Sequence, residues 1–257
     1  SDSVIYYSKK SKPNKKGSKY FDIYKYNLNL KKEERLTKSQ RSISPIITHL
    51  DKIYAITTYD GTSNIMESEL DSITFKPLTN FSNGTQIFSL SYDSVNNDIV
   101  FDAVEHNTRN LYKINLNDKN ITKNQQDFDT RDPYSYKGNT YYSSDETGIY
   151  NLYNNGNAIT NVIGGAFMPH ISKTGKLLYS LYDNGKYKIA LIDNFSDSLK
   201  LPVNDNVTHL KSSLLDFGIN KISSNYEESM PSPFFFPRIM YDYNTIKPGF
   251  YFYSGEI

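Results

Sequence analysis

Cysteine and tryptophan are both absent from this chain of 257 residues. Without cysteine there is no disulfide framework, no thiolate nucleophile and no cysteine-ligated metal. The absence fits an extracytoplasmic bacterial protein. Charge of one sign is lacking too. The chain carries 29 Lys and Arg against 28 Asp and Glu, a formal net charge of +1. Bulk charge therefore implies neither a nucleic acid nor an acidic membrane surface as partner. No apolar run is long enough to cross a bilayer as a helix, and no charged-then-apolar leader opens the chain. The chain starts at Ser1 without an initiator Met, and reads as an excerpt of a longer chain or as a mature product.

Catalytic motifs are missing as well. There is no G-x-S-x-G nucleophile elbow, no H-E-x-x-H zinc motif, and no Gly-rich phosphate loop. Gly164-Gly165 stands alone and reads as a turn. The four histidines, His49, His106, His170 and His209, are scattered. Each reads as a core or loop histidine rather than a metal ligand, and no cofactor is expected.

What the chain has in quantity is tyrosine, 23 residues, with 14 phenylalanines. They recur with Ile, Val and Thr in short runs that suit a pleated, half-buried surface. One set of runs is Val4–Ser8, Ile53–Thr58, Ile99–Val104, Thr140–Ser144 and Leu177–Tyr182. A second follows each after a polar turn: Asp22–Leu28, Asn64–Leu70, Asn110–Leu116, Ile149–Tyr153 and Tyr187–Ile192. A third is marked by an apolar-Thr pair, at Leu36-Thr37, Leu78-Thr79, Ile121-Thr122 and Ile159-Thr160. A fourth, Ser44–Leu50, Ile87–Asp93, Asp132–Gly138 and Met168–Gly175, is expected to close each unit. Four short strands every ~40–45 residues is the spacing of a β-propeller blade.

Alternation in Asp22–Leu28 and Asn110–Leu116 places one side chain on each face in turn. Asp60-Gly61, Asn83-Gly84, Asn155-Gly156 and Asn184-Gly185 supply turns that tolerate positive φ. The lysine-rich stretch from Ser8 to Tyr20, with Pro13 and Gly17, reads as a basic surface turn rather than a strand. It is a solvated loop or a docking patch for an anionic partner. The expectation is an all-β chain: a propeller of four-stranded blades, about five of them recognisable, with the last incomplete.

The cycle resembles the TolB-type β-propeller repeat, whose relatives precede the hydrolase domain in the prolyl-oligopeptidase family. The local match is Pro169-His170-Ile171-Ser172-Lys173-Thr174-Gly175-Lys176-Leu177-Leu178-Tyr179-Ser180. Lys173-Thr174 stands where the family pattern has Pro-Asp. The resemblance covers Val4–Ile192. It implies a non-enzymatic propeller of the bacterial cell envelope, periplasmic or outer-membrane-associated, that binds a protein or peptide partner.

After Ile192 the phase is lost. The organisation expected is a propeller portion over residues 1–195, a linker or partial blade over 196–233, and an aromatic strand segment over 234–257. In that last segment two aromatic strands would flank a turn at Lys247-Pro248-Gly249. The segment resembles the entry to a following outer-membrane β-barrel domain, where aromatic residues mark the membrane interfaces.

Four carboxylates recur at one place in the repeat, just after the first strand: Asp60, Glu105, Asp145 and Asp183. They are the candidate ligand-binding residues of a propeller mouth, for a calcium ion or a cationic peptide. Their alternative role is turn chemistry, because Asp bonds its own nearby backbone. Two other functions stay open. One is a substrate-gating propeller of a peptidase whose catalytic domain lies outside this chain. The other is a propeller hydrolase of glycosidase or lactonase type, which would need those four carboxylates to converge on a central pocket.

Overall fold

The computed structural model describes residues 3–48, 51–105, 108–193 and 234–253. His49, His106 and His209, and the expected linker over 196–233, lie outside the described residues. Every regular element among the described residues is a β-strand. The chain divides into two compact units, Ser1–Val207 and Thr208–Ile257.

The first unit holds five antiparallel sheets in chain order, the blades of a β-propeller. The first comprises β1 (Val4–Lys10), β2 (Phe21–Asn27) and β3 (Lys32–Arg35). The second comprises β4 (Ser42–Ile47), β5 (Lys52–Tyr59), β6 (Thr62–Glu69) and β7 (Lys76–Pro77). The third comprises β8 (Gln86–Asp93), β9 (Asp98–Glu105), β10 (Thr108–Asn115) and β11 (Ile121–Asn124). The fourth comprises β12 (Thr130–Tyr136), β13 (Asn139–Ser144), β14 (Asn151–Asn154) and β15 (Asn157–Ala158). The fifth comprises β16 (Ala166–Ile171), β17 (Leu177–Asp183) and β18 (Lys186–Ile192).

The pairing corrects the phase of the repeat. The strand expected to close each unit instead opens the next sheet: β4 pairs with β5, β8 with β9, β12 with β13, and β16 with β17. A sequence repeat has no intrinsic start, so periodicity alone does not say which sheet a strand joins. β4, β8, β12 and β16 neighbour one another in turn and line the propeller axis.

Apolar residues fill both faces of an inner blade. In β5, Ile53 and Ala55 pack with Ile23 of the preceding sheet. Tyr54 and Ile56, on the opposite face, pack with Ile65 and with Ile87, Ile99 and Phe101 of the following sheet. This double burial explains the unbroken run Ile53-Tyr54-Ala55-Ile56, since a strand covered on both sides has no polar face to alternate with. Each such side chain contributes roughly 1.5–3 kcal/mol by leaving water. The fifth sheet is different. Leu177 packs on Tyr141 and Leu152 of the fourth. On its other face Ile189, at the ladder position held by the fully buried Ile65 and Leu152, is 85% exposed.

The apolar-Thr mark has a physical basis. Thr79 Oγ1 accepts the amide N–H of Ile65 at 2.9 Å and donates to Asn64 Oδ1 at 2.9 Å. Thr160 does the same with Leu152 and Asn151, and Thr37 with Ile23 and Asp22. The Asx side chain then accepts amides just beyond the Thr: Phe81, Val162, or Ser39 and Gln40. This clasp ties each outer strand to the chain leaving the blade.

In the third sheet the expected mark, Ile121-Thr122, is out of register. Tyr112 pairs with Lys123 as Tyr24 pairs with Arg35, so Asn124-Gln125 occupies the equivalent place. There Asn110 Oδ1 accepts the amide of Gln126 without a threonine.

Asp60-Gly61, Asn155-Gly156 and Asn184-Gly185 each place two consecutive residues at positive φ, the requirement of a type I′ hairpin. Asn83-Gly84 lies instead on the crossing from the second sheet to the third. The basic stretch is a turn only in part: Ser8, Lys9 and Lys10 extend β1 by pairing with Ile23, Asp22 and Phe21, and the rest turns about Asn14, whose Oδ1 accepts the amides of Lys16 and Ser18.

The second unit is described as one hairpin, β19 (Phe234–Asp242) and β20 (Thr245–Tyr253). Its turn is Tyr243-Asn244, with φ of 48° and 57°. The turn expected at Lys247-Pro248-Gly249 lies within β20. A strand in a two-stranded ribbon has one partner, so a proline lacking its N–H is tolerated there.

Candidate axial binding site

The four axial strands share one irregularity. Each carries a β-bulge at the same height: at Ser44-Pro45 in β4, Phe88 in β8, Asp132-Pro133 in β12 and Met168-Pro169 in β16. Ser44, Asp132 and Met168 take φ of 51°, 56° and 52°, a region that residues other than glycine seldom occupy. Bulges re-aim side chains. Ser44, Phe88, Asp132 and Met168 line one cavity of about 780 Å³ at the axis, together with Arg109, Arg131, Phe167, His170 and Tyr187.

Asp102 organises the floor of this cavity. It is fully buried at the middle of β9. One carboxylate oxygen accepts the amide and the hydroxyl of Ser89, both at 2.8 Å. The other accepts Arg109 Nε at 2.7 Å, a second bond from Arg109 Nη2, and the amide of Asp132 at 2.9 Å. Five donors on one carboxylate link the third blade to the fourth. They also offset the cost of burying its charge.

Arg109 is held flat, its guanidinium 4.1 Å from the ring centroid of Phe88. Its Nη2 also lies 3.5 Å from Asp132 Oδ1. The Asp132 carboxyl is held above the usual carboxylate range, first by burial and next by the Asp102 charge, against the pull of Arg109. Its Oδ2 accepts the amide of Met168, which ties the fourth blade to the fifth.

The upper wall is aromatic. Arg131 stacks 4.2 Å from the Tyr150 ring and pairs with Asp129 at 2.9 Å. Tyr150 packs on Phe167, whose ring meets the edge of Tyr187. His170 packs on Tyr134 with ring centroids 4.4 Å apart. Met168 and Tyr187 are more than two-thirds exposed, and Phe88 is exposed beside them. The site combines open apolar surface with charges already neutralised in pairs, an arrangement that holds a neutral or mixed-charge segment by burial and orients it by its polar groups.

The four sequence candidates stand at corresponding turns, between the second and third strands of a blade. Asp60 is in the β5–β6 turn. Glu105 ends β9 and pairs with Lys123 at 3.1 Å. Asp145 follows β13 and accepts the amide of Asp129 at 2.8 Å. Asp183 ends β17 and pairs with Lys188 at 2.5 Å. None of the four lines the axial cavity. Among the described residues no three His, Asp or Glu side chains are grouped to hold a metal ion. The axial residues Asp102, Arg109 and Phe88 carry no signal at the sequence level. The x-Pro pairs at the bulges do, since Pro45, Pro133 and Pro169 recur at one place in the repeat.

No protein-family profile matches the chain, and no curated protein sequence does. Solved structures do. TolB from Acinetobacter baumannii superposes with a TM-score of 0.60 at 17% identity, over 73% of this chain and 49% of that one. A protein assigned as TolB in Agrobacterium tumefaciens gives a TM-score of 0.60 at 14% identity, over 74% and 77%. The β-propeller domain of the Trilobed protease from Pyrococcus furiosus gives 0.50 at 12% identity, over 75% and 80%. The match with this chain spans about half the length of the Acinetobacter protein. At these identities the likeness is one of fold: this chain is built as five antiparallel sheets arranged as a β-propeller, the fold it shares with these structures.

Proposed function

We propose that this chain is a non-enzymatic binding propeller of the bacterial cell envelope, periplasmic or outer-membrane-associated, and that its axial cavity holds a segment of a protein or peptide partner. One observation carries the reading. Exposed Phe88, Met168 and Tyr187 gather around a charge-paired floor in a cavity of about 780 Å³. Apolar side chains exposed in a concave site with a few fixed polar groups are the usual composition of a ligand pocket. Aromatic and Arg anchors are the usual hot spots of protein recognition. The likeness in fold to TolB and the lack of cysteine support the envelope setting. Asp60, Glu105, Asp145 and Asp183 would then act as turn residues, outside the contact with the partner.

A second reading keeps the same cavity but makes it the gate of a peptidase. It is favoured by the fold shared with the propeller domain of the Trilobed protease. A hydrolase domain in the same open reading frame would select it, and a barrel domain would select the first. The hydrolase reading requires Asp60, Glu105, Asp145 and Asp183 to meet in a central pocket, and none of the four lines the axial cavity.

The test is a random peptide library displayed on phage and selected on the purified chain. Affinities of the selected peptides are then measured by fluorescence anisotropy for the wild type, Phe167→Ala, Tyr187→Ala and the rim control Asp183→Ala. Loss of an aromatic anchor should weaken binding tenfold or more, about 1.4 kcal/mol or above, while the rim control changes it less than threefold. Peptides that bind all four proteins alike, or no selected peptide at all, would overturn the reading.

A further inference from the structure

The hairpin of the second unit segregates its side chains by face. In an antiparallel pair, residues directly opposite one another share a face. The pairs Phe235 with Phe252, Pro237 with Phe250, Ile239 with Pro248, and Tyr241 with Ile246 therefore form one face. It has no charge, and its only polar atom is the Tyr241 hydroxyl, which bonds Asn244 in the turn. The large side chains of this face are all exposed, Ile239 at 80% and Phe250 at 75%.

The other face takes every charge of the two strands. Arg238 lies 4.7 Å from the Tyr251 ring centroid, and Lys247 pairs with Asp242 at 3.3 Å. Thr245, Gly249, Met240, the rings of Phe234 and Phe236, and the phenols of Tyr251 and Tyr253 complete it, so this face mixes aromatic surface with all the charge while the first face has none. The charges lie on one side and are engaged with neighbours on that side. The opposite side offers nothing that a polar partner could meet.

We propose that the face of Phe235, Ile239, Tyr241, Ile246, Phe250 and Phe252 rests against the hydrocarbon of a lipid bilayer. Charge complementarity selects this occupant. An uncharged medium fits a face with no charge, while the headgroup layer and water fit Arg238, Asp242 and Lys247 opposite. Each strand has nine residues, the length of a membrane-crossing β-strand. Among the described residues β19 and β20 pair only with each other, and hydrocarbon does not tolerate unpaired edge amides. The described hairpin is therefore placed in the interfacial layer with its apolar face inward. That placement is independent of what the axial cavity binds.

The absence of cysteine makes the test clean. Single cysteines are placed in the full chain at Phe250→Cys and Phe252→Cys on one face, and at Tyr251→Cys and Tyr253→Cys on the other. Each is labelled with an environment-sensitive nitrobenzoxadiazole dye and mixed with phosphatidylcholine vesicles. A second set of vesicles carries spin-labelled acyl chains that quench on contact. A zwitterionic lipid with no net charge minimises any electrostatic contribution from the basic turn between β1 and β2. The expected result alternates by residue: blue-shifted emission and acyl-chain quenching at 250 and 252, and neither at 251 and 253. Quenching at all four positions, quenching on the opposite pair, or a blue shift without acyl-chain quenching would each overturn the proposal. The last pattern would mark a protein surface or a second copy as the occupant.

Discussion

Two sets of carboxylates sit near the same end of this propeller, and they behave differently. Asp60 and Asp183 recur with the repeat, stand at exposed turns, and are held by local chain geometry or by a neighbouring lysine. Asp102 and Asp132 do not recur. Asp102 is fully and Asp132 largely buried between blades, and the two are bound by donors from four different strands. A position repeated in every blade reports what every blade needs, and every blade needs a hairpin turn. A carboxylate found in one blade alone reports what that place in the ring needs. The candidate site is therefore built from the exceptions to the repeat.

Substituting members of each set should separate them by size of effect. Asp102→Ala leaves Arg109 and the amides of Ser89 and Asp132 without their acceptor. Breaking a buried pair in this way costs about 3–5 kcal/mol. Urea unfolding should show the midpoint falling by that equivalent, and a change under 1 kcal/mol would contradict the role given to Asp102.

Next in size is the clasp. Thr160→Val keeps the shape but leaves the Leu152 amide and the Asn151 carboxamide short of a partner, at a cost of about 1–3 kcal/mol. The parallel substitution Thr122→Val should cost almost nothing, because Thr122 is exposed in β11 and outside any clasp. Equal losses at 122 and 160 would show that the register assigned to the third sheet is wrong.

Asp132→Asn should have a smaller and pH-dependent effect. The folded protein raises this carboxyl above its ordinary value, so the native state holds the proton more tightly than the unfolded chain does. Its contribution is fully present below the unfolded value, about 3.9, and is lost as pH rises through the higher folded value. Melting temperatures measured from acid to neutral pH should fall across that window more in the wild type than in the variant. Identical profiles would remove Asp132 from the account. The smallest effect is expected at the turns, where Asp60→Asn and Asp183→Ala should stay within about 0.5 kcal/mol of wild type.

Much of the architecture was legible in the chain. Tyr, Ile and Thr runs marked the strands, Asp-Gly and Asn-Gly marked three of the type I′ turns, and Leu-Thr or Ile-Thr pairs marked the outer edge of three blades. The phase was not legible, because the join between sheets is a matter of which ladder a strand enters. Ile121-Thr122 imitated the clasp by composition while lying three residues away from it in register. Lys247-Pro248-Gly249 resembled a turn, yet Tyr243-Asn244 takes the positive φ values that reverse the chain. The axial site was legible only in its x-Pro bulges. Asp102 reads in sequence as one more residue of a strand, and its role arises from Ser89, Arg109 and Asp132, which the fold brings to it.

The central claim is that recognition occurs at the axis and not at the turn rim. The direct measurement is photo-crosslinking of a selected peptide to benzoylphenylalanine placed at position 88, inside the cavity, or at position 59, beside the Asp60 turn. The account predicts an adduct at 88 that unlabelled peptide competes away, and none at 59. An adduct at 59 without one at 88 would place recognition on the rim and contradict it.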